Sequence, residues 1–231
     1  MVAGNRFTGL EIMLDHVERE QAICITVEYR LAPENPHPVP LEDCYAALTW
    51  TSNNAMSLGI NPARLVIAGM SAGGGLAAGV ALLSRDRGGP KLCAQMLISP
   101  MLDDRNITVS SLQYTDDSPW TRASNIFAWN CLLNGCQGAT AVSMYAAPGR
   151  ARDLSRLPPT YIECGSADGF RDEDMAYASR LLEYGVQTEL HIWPGGWHGF
   201  QIYGPGSKLT KIATEARCSW LRRQLSYLET E

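Results

Sequence analysis

The pentapeptide Gly69-Met70-Ser71-Ala72-Gly73 places a serine between two glycines with the spacing Gly-x-Ser-x-Gly. This spacing is typical of a sharp turn between a strand and a helix, which exposes the serine hydroxyl above the end of a sheet. Glycines are expected there because a side chain two residues before or after the serine would collide with the neighbouring strand or helix. The turn predicts a nucleophile at Ser71, with a glycine-rich turn that carries no chemistry as the alternative.

A serine hydroxyl is a weak nucleophile at neutral pH and needs a general base beside it. The sequence contains four histidines. His16 falls in a predicted helix, His37 in a proline-rich loop and His191 inside a predicted strand. His198 follows a predicted strand, in a loop, and sites collect in such loops at the carboxyl ends of parallel strands. We therefore predict His198 as the base, against the alternative of a loop histidine bonded to backbone.

The base in turn needs a carboxylate that fixes its tautomer and stabilises the imidazolium. The acidic residues that follow the strand predicted at residues 160–164 are Asp168, Asp172, Glu173 and Asp174. Asp168 lies in the loop, whereas the other three fall in the first turn of the next helix, where the helix dipole alone favours carboxylates. We predict Asp168 as the acid. The chain order serine, acid, histidine differs from the orders of the chymotrypsin and subtilisin proteases.

Strands and helices alternate along the chain. Apolar, β-branched runs predict strands at residues 22–29, 65–68, 94–98, 160–164 and 188–193. Apolar periodicity predicts helices at residues 41–54, 72–84, 126–133, 173–184 and 210–228, and another that follows a capping box at residues 8–11. This alternation predicts a mostly parallel sheet flanked by helices on both faces. Residues 103–145 are polar at first and then contain one aromatic helix, so we interpret them as an insertion into the sheet topology.

Composition limits the classes of function. A chain of 231 residues with 45% hydrophobic content can bury a core, and we predict one domain over residues 1–231. The net charge of −5 argues against nucleic acid and anionic membranes as partners. No apolar run approaches the roughly 18 residues of a membrane span, and residues 1–6 lack the apolar region of a signal peptide. Seven scattered cysteines without CxxC spacing predict no metal or redox site and favour a cytoplasmic location.

Four motifs, in order along the chain, resemble the hormone-sensitive-lipase branch of the α/β-hydrolases. Residues 27–34 resemble its YRLAPE signature, and residues 69–74 resemble GDSAGG with Met70 in place of the usual aspartate. Residues 168–173 resemble DPLRDE, whose first aspartate is the triad acid, and residues 198–200 match HGF. The resemblance implies an α/β-hydrolase fold, hydrolysis of carboxylic esters without a cofactor, and a helical cap to which residues 103–145 contribute.

One family element has no counterpart in the sequence. Members carry a His-Gly-Gly-Gly loop upstream of YRLAPE, and its backbone N–H groups form most of the oxyanion hole. Residues 1–5 resemble the stretch just after that loop, so the resemblance implies an N-terminally truncated chain that lacks the first strands and a central strand. Residues 22–29 and 65–68 would then pair directly or leave backbone groups unsatisfied. The backbone N–H of Ala72 is the oxyanion donor that remains expected.

These observations predict a serine hydrolase that cleaves a small-molecule carboxylic ester with no metal or cofactor. The alternative from another class is a non-catalytic ligand-binding protein or an inactive hydrolase-fold protein. Plant gibberellin receptors resemble this branch but lack the triad histidine, so His198 argues against that alternative, whereas the absent glycine loop argues for it. Amide, lactone and thioester substrates remain open, as does the oligomeric state. Aromatic residues near the motifs predict an apolar pocket or, equally, part of the core: Trp120, Trp129, Trp197 and Phe200.

Overall fold

A computed structural model describes residues 1–115 and 118–226 of the chain. Its sheet has four strands in the spatial order β1-β2-β3-β4, and each neighbouring pair is parallel. The strands are Val66–Met70 (β1), Ala94–Ile98 (β2), Thr160–Ala167 (β3) and Thr188–Trp197 (β4). Within the described ranges, no helix combines the length and the apolar composition that crossing a membrane requires.

Helices precede, follow and connect the strands. They are Glu11–Arg19 (α1), Val39–Asn53 (α2), Ala55–Leu58 (α3), Ala72–Arg87 (α4), Val109–Gln113 (α5), Arg122–Leu132 (α6), Arg171–Glu183 (α7), Phe200–Tyr203 (α8) and Lys208–Ser226 (α9), with short 3₁₀ turns at Pro62–Arg64 and Pro148–Arg150. Strand–helix–strand crossovers of this kind hold parallel strands side by side. The predicted α/β-hydrolase architecture, a parallel sheet flanked by helices, is confirmed.

The two faces of the sheet are covered by different helices. Side chains alternate along a strand, so Leu97 of β2 faces a core shared with α4 and α7, whereas Met96 faces α1 and α9. Every residue of β2 is buried. A strand buried on both faces has a continuous apolar sequence, which is why β2 was recognisable from its composition.

The strand predicted at residues 22–29 is wrong. The segment is irregular, and Ile23 and Ile25 are exposed. A strand exists only where a neighbour satisfies its backbone donors and acceptors, and among residues 1–115 and 118–226 no strand pairs with this segment. Its end is nevertheless anchored, because the side chain of Tyr29 packs against the apolar cluster around Leu41. In the described sheet β1 is therefore an edge strand whose outer side is unpaired.

Several helix boundaries differ from the predicted ones. The capping box does not form, since α1 begins at Glu11 and the Thr8 hydroxyl instead accepts the N–H of Asn5. Helix α2 begins two residues before the predicted start, because Pro40 is tolerated in a first helical turn. Helix α5 was not predicted. The predicted end of the last helix, Leu228, lies outside the described residues.

Candidate active site

Ser71 occupies the sharp turn between β1 and α4. Its backbone has φ 54° and ψ −120°, a left-handed φ that L-residues seldom adopt. Neighbouring backbone holds it there: the Ser71 N–H donates to the carbonyl of Ile98 at 2.9 Å, and the Met101 N–H donates to the Ser71 carbonyl at 2.9 Å. Strain that the surroundings enforce is typical of functional turns, and here it presents the serine side chain at the carboxyl end of the sheet.

The glycines of the turn have unequal roles. A Cβ on Gly69 would overlap the backbone of Gly73, and a Cβ on Gly75 would overlap the carbonyl of Met101. A Cβ on Gly73 itself would meet nothing within 4 Å. The expectation that both flanking glycines avoid a collision is therefore correct for Gly69 and wrong for Gly73. Further tight approaches follow in the sequence: a Cβ on Gly74 would lie 2.9 Å from Pro100 Cβ, and Gly75 lies where α4 passes the segment after β2.

His198 lies directly after β4 and faces both of its predicted partners. Its Nε2 is 3.0 Å from Ser71 Oγ, and its Nδ1 is 2.9 Å from Asp168 Oδ2. The ring is buried, with 7% of the residue exposed, and the ring of Phe170 meets it edge-on at a centroid distance of 5.1 Å. Gly199, at φ 78°, turns the chain into α8. The structure thus brings the three predicted residues into one hydrogen-bonded line.

Asp168 lies between the end of β3 and the start of α7, with 1% of the residue exposed. Burial raises the pKa of its carboxyl, but His198 and the N–H of Phe170 lower it by more, so the pKa lies below its usual value. The Phe170 N–H donates to Oδ1 at 3.0 Å, which leaves Oδ2 to face the imidazole. The carboxylate is therefore ionised at neutral pH and fixed in orientation.

The other acidic residues of this segment make different contacts. Asp172 accepts the N–H of Ser110 at 2.7 Å, and Glu173 accepts the N–H of Leu102 at 2.8 Å. Asp174 is completely buried, and burial raises its pKa well above the usual value for an aspartate. Asp172 and Glu173 therefore fasten α7 to the residues that follow β2. The carboxylate that contacts the imidazole belongs to Asp168.

Ala72 is the first residue of α4, so its N–H has no acceptor one turn earlier in the same helix. It adjoins Ser71, and the positive end of the helix dipole favours negative charge there. Ala72 also packs against an apolar cluster that contains Met1 and Trp129. Its role as an oxyanion donor stays a prediction.

The chain matches the Abhydrolase_3 family, described as an alpha/beta hydrolase fold, over residues 1–202. It belongs to that alpha/beta hydrolase family. It is 40% identical to the carboxylesterase NlhH of Mycobacterium tuberculosis, over 91% of this chain and 66% of that protein. It is 36% identical to the esterase LipI of the same species, over 87% of this chain and 62% of LipI. The chain thus spans about two thirds of the length of these relatives.

Solved structures give the same family. The bacterial heroin esterase superposes with a TM-score of 0.92 at 40% identity, over 97% of this chain and 71% of that one. The esterase LipW of Mycobacterium marinum superposes with a TM-score of 0.91 at 37% identity, over 97% of this chain and 70% of that one. The recognition of the hormone-sensitive-lipase branch from four sequence motifs is confirmed at the level of the family.

The motif at residues 27–34 fastens the segment before α2. The Arg30 guanidinium makes two hydrogen bonds with Asp43 of α2, at 3.0 and 2.7 Å, and the Arg30 N–H donates to the same carboxylate at 3.0 Å. The Ala32 N–H donates to the Met1 carbonyl at 3.0 Å. These bonds tie the motif to α2 and to Met1, and Ala32 lies in the same apolar cluster as Phe170.

Two of the predicted site aromatics are core residues, since Trp129 and Phe200 are at most 1% exposed. Trp197 is 40% exposed, and Trp120 is half-buried. Sequence reasoning missed Phe170, which supplies both an N–H to Asp168 and a ring edge to His198. The contact between the Phe170 ring and His198 arises only in the folded chain. The position of Phe170, two residues after a loop aspartate, is nevertheless a signal in the sequence for its N–H contact with Asp168. Among the described residues, no group of three or more histidine, cysteine or acidic side chains is placed to hold a metal ion.

Proposed function

We propose that this hydrolase cleaves carboxylic esters through Ser71, His198 and Asp168 by way of an acyl-enzyme. The observation that supports the proposal most is the unbroken line from Ser71 Oγ to His198 at 3.0 Å and from His198 to Asp168 at 2.9 Å. Each member has the environment that its role needs: a strained turn for the serine, a buried ring for the base and an ionised carboxylate for the acid. Relatives that are named esterases, at 36–40% identity, support the ester bond.

In the acylation step, Ser71 Oγ attacks the ester carbonyl carbon while His198 Nε2 takes the hydroxyl proton. Asp168 stabilises the imidazolium so formed. The tetrahedral intermediate collapses as the C–O bond to the alcohol breaks, and His198 returns the proton to the departing alkoxide. Water then attacks the acyl group, His198 takes a proton from the water, and collapse of the second intermediate releases the acid and restores the Ser71 hydroxyl.

The oxyanion of each intermediate needs donors that are already in place. The Ala72 N–H adjoins the nucleophile and is our first candidate. Loss of a single oxyanion donor typically costs about 10²- to 10³-fold in turnover. The alternative function is that of a hydrolase-fold protein that binds an ester-like ligand with little or no turnover.

The substrate we propose is a small ester, which needs no metal or cofactor because the three side chains supply all the proton transfers. Residues 103–145, which contain α5 and α6, would form the cap-like part of a single domain. Two features support that role. Val109 and Leu112 present exposed apolar side chains. Ser110 hydrogen-bonds to Gly169 and Asp172, in the segment that also bears Asp168.

A cytoplasmic location is part of the same proposal. It is supported by the seven cysteines, all in described positions, which are unpaired as in proteins of reducing compartments.

A fluorophosphonate probe tests the nucleophile directly, since it phosphonylates a serine only when a base activates it. We expect the probe to label Ser71, identified by peptide mass spectrometry, and we expect Ser71→Ala to abolish both labelling and hydrolysis of p-nitrophenyl acetate. Ser84→Ala is a matched control, since Ser84 is a buried serine of α4 whose hydroxyl donates to the Pro90 carbonyl. Labelling without hydrolysis would favour the ligand-binding alternative, and labelling of another serine would refute the assignment of Ser71.

A further inference from the structure

A buried polar cluster lies beneath the triad, between the sheet and helices α1 and α9. At its centre is Glu163, the fourth residue of β3, which is completely buried. Its Oε2 accepts the Tyr161 hydroxyl at 2.9 Å and the Trp193 indole N–H at 3.0 Å. Its Oε1 accepts the Gln201 amide at 2.8 Å and the Arg217 guanidinium at 2.5 Å. Four donors from four elements thus converge on one carboxylate.

The charge of Glu163 is balanced inside the protein. Arg217, from α9, is 1% exposed and forms the ion pair with Glu163. His16 of α1 lies 3.4 Å from the guanidinium, and burial, followed by the charge of Arg217, lowers the pKa of His16 to about 4. His16 is therefore neutral at neutral pH and can accept the Arg217 N–H. Separating Arg217 from Glu163 would leave an uncompensated buried charge, so the ion pair opposes displacement of α9 from β3.

Gln201 connects this cluster to the catalytic base. It lies three residues after His198, in the single-turn helix α8, and 3% of it is exposed. The backbone between the two residues is short and turns at Gly199. A displacement of α8 would therefore displace the His198 backbone, and the Gln201–Glu163 hydrogen bond opposes that displacement.

One strand consequently holds His198 at two points. Asp168, just beyond the end of β3, contacts the ring at Nδ1, and Glu163, within β3, holds the helix that follows the histidine. Two attachments to the same rigid strand fix both the position and the orientation of the imidazole. We propose that Glu163, acting through Gln201, is a positioning residue for the general base. The proposal rests on the catalytic function proposed for Ser71, His198 and Asp168.

Gln201→Met tests the proposal, because methionine has nearly the volume of glutamine but cannot donate to Glu163. Tyr161→Phe is the matched control: it also removes one donor from the same carboxylate, but it leaves the bond to α8 intact. Both variants should melt at similar temperatures. Because misplacement of a catalytic group by about 1 Å costs about 10²-fold, we expect Gln201→Met to lower kcat about 10- to 100-fold at unchanged KM, and Tyr161→Phe to leave kcat close to that of the natural chain.

The low-field proton resonance of the His198 Nδ1–H gives a readout that needs no turnover. We expect the resonance to broaden or disappear in Gln201→Met and to persist in Tyr161→Phe. Equal kcat values and equal resonances in the two variants would overturn the proposal, as would an equal loss of kcat in both. If Gln201→Met does not fold, Gln201→Asn replaces it, since the shorter amide cannot reach Glu163. If the natural chain neither turns over esters nor reacts with fluorophosphonate, the catalytic proposal fails, and the resonance alone decides whether Gln201 positions His198.

Discussion

Replacing Asp168 with asparagine tests how the acid controls the base. In the natural chain, Oδ1 accepts the Phe170 N–H at 3.0 Å and Oδ2 faces His198 Nδ1 at 2.9 Å. Asparagine offers one oxygen and one NH₂ group, so it can accept at only one of these positions. If its oxygen keeps the Phe170 N–H, its NH₂ faces Nδ1. The imidazole proton must then move to Nε2, which can no longer accept the proton of Ser71.

The opposite orientation would turn the NH₂ group toward the Phe170 N–H and leave both donors unpaired in a site that is 1% exposed. An unpaired buried donor costs about 1–3 kcal/mol. The orientation in which the NH₂ group faces His198 Nδ1 is therefore favoured by at least that amount. About one molecule in 5 to one in 150 then has the amide oxygen facing Nδ1, so that Nε2 can still accept the proton of Ser71. The competent molecules also lose a hydrogen bond to a charged partner, about 1.5–3 kcal/mol. The sum predicts a loss of turnover of about 10²- to 10⁴-fold.

The assay compares p-nitrophenyl acetate turnover, the rate of fluorophosphonate labelling and thermal melting for Asp168→Asn and Asp174→Asn. Asp174 is the matched control, because it is another buried carboxyl of the same segment, and burial raises its pKa well above the usual value. We expect Asp168→Asn to fold and to lose activity, and Asp174→Asn to keep it. Retention of activity in Asp168→Asn, or an equal loss in Asp174→Asn, would refute the assignment of the acid.

Two further predictions concern stability. Gly75→Ala should lower the free energy of unfolding by about 1–3 kcal/mol, because its Cβ would overlap the Met101 carbonyl. Gly73→Ala, in the first turn of the same helix, should be neutral or slightly stabilising, because its Cβ would meet nothing within 4 Å. Similar urea midpoints for the two variants would contradict this prediction. The folded-state pKa of Asp174 lies above its unfolded value near 3.8, so its contribution to stability is complete below that pH and is lost as pH rises toward the folded pKa. The melting temperature of Asp174→Asn should therefore gain on that of the natural chain between pH 4 and pH 7, and parallel pH profiles would show that Asp174 is ionised in the folded protein.

The residues that the sequence located correctly are those whose local context is sufficient. Strand β2 is apolar throughout because both of its faces are buried, and the turn at Ser71 requires glycine within the same short segment. The position of Asp168 in the loop before α7 is also as predicted, and its role as the acid stays a prediction. In each case a few adjacent residues contain the physical reason for the structure.

The failures involve partners that are distant in sequence. Residues 22–29 have the composition of a strand, but pairing needs a neighbour that composition does not reveal. The capping box at Thr8 is the exception, because it fails through a local contact: the Thr8 hydroxyl accepts the N–H of Asn5, three residues earlier. Gln201 carries no motif at all, and its link to Glu163, 38 residues earlier in the chain, exists only once the sheet has formed.

The unpaired edge of β1 bears on how the chain behaves in concentrated solution. Its five residues, Val66–Met70, are uncharged and contain no proline, so the edge lacks the devices that commonly prevent one sheet from adding to another. Ala68, at the middle of the strand, is exposed. Backbone groups along this edge can pair with any extended segment that reaches them, and such encounters become more frequent as concentration rises. In the described sheet, the five residues of β1 therefore form a site at which an extended segment of another molecule can add to the sheet.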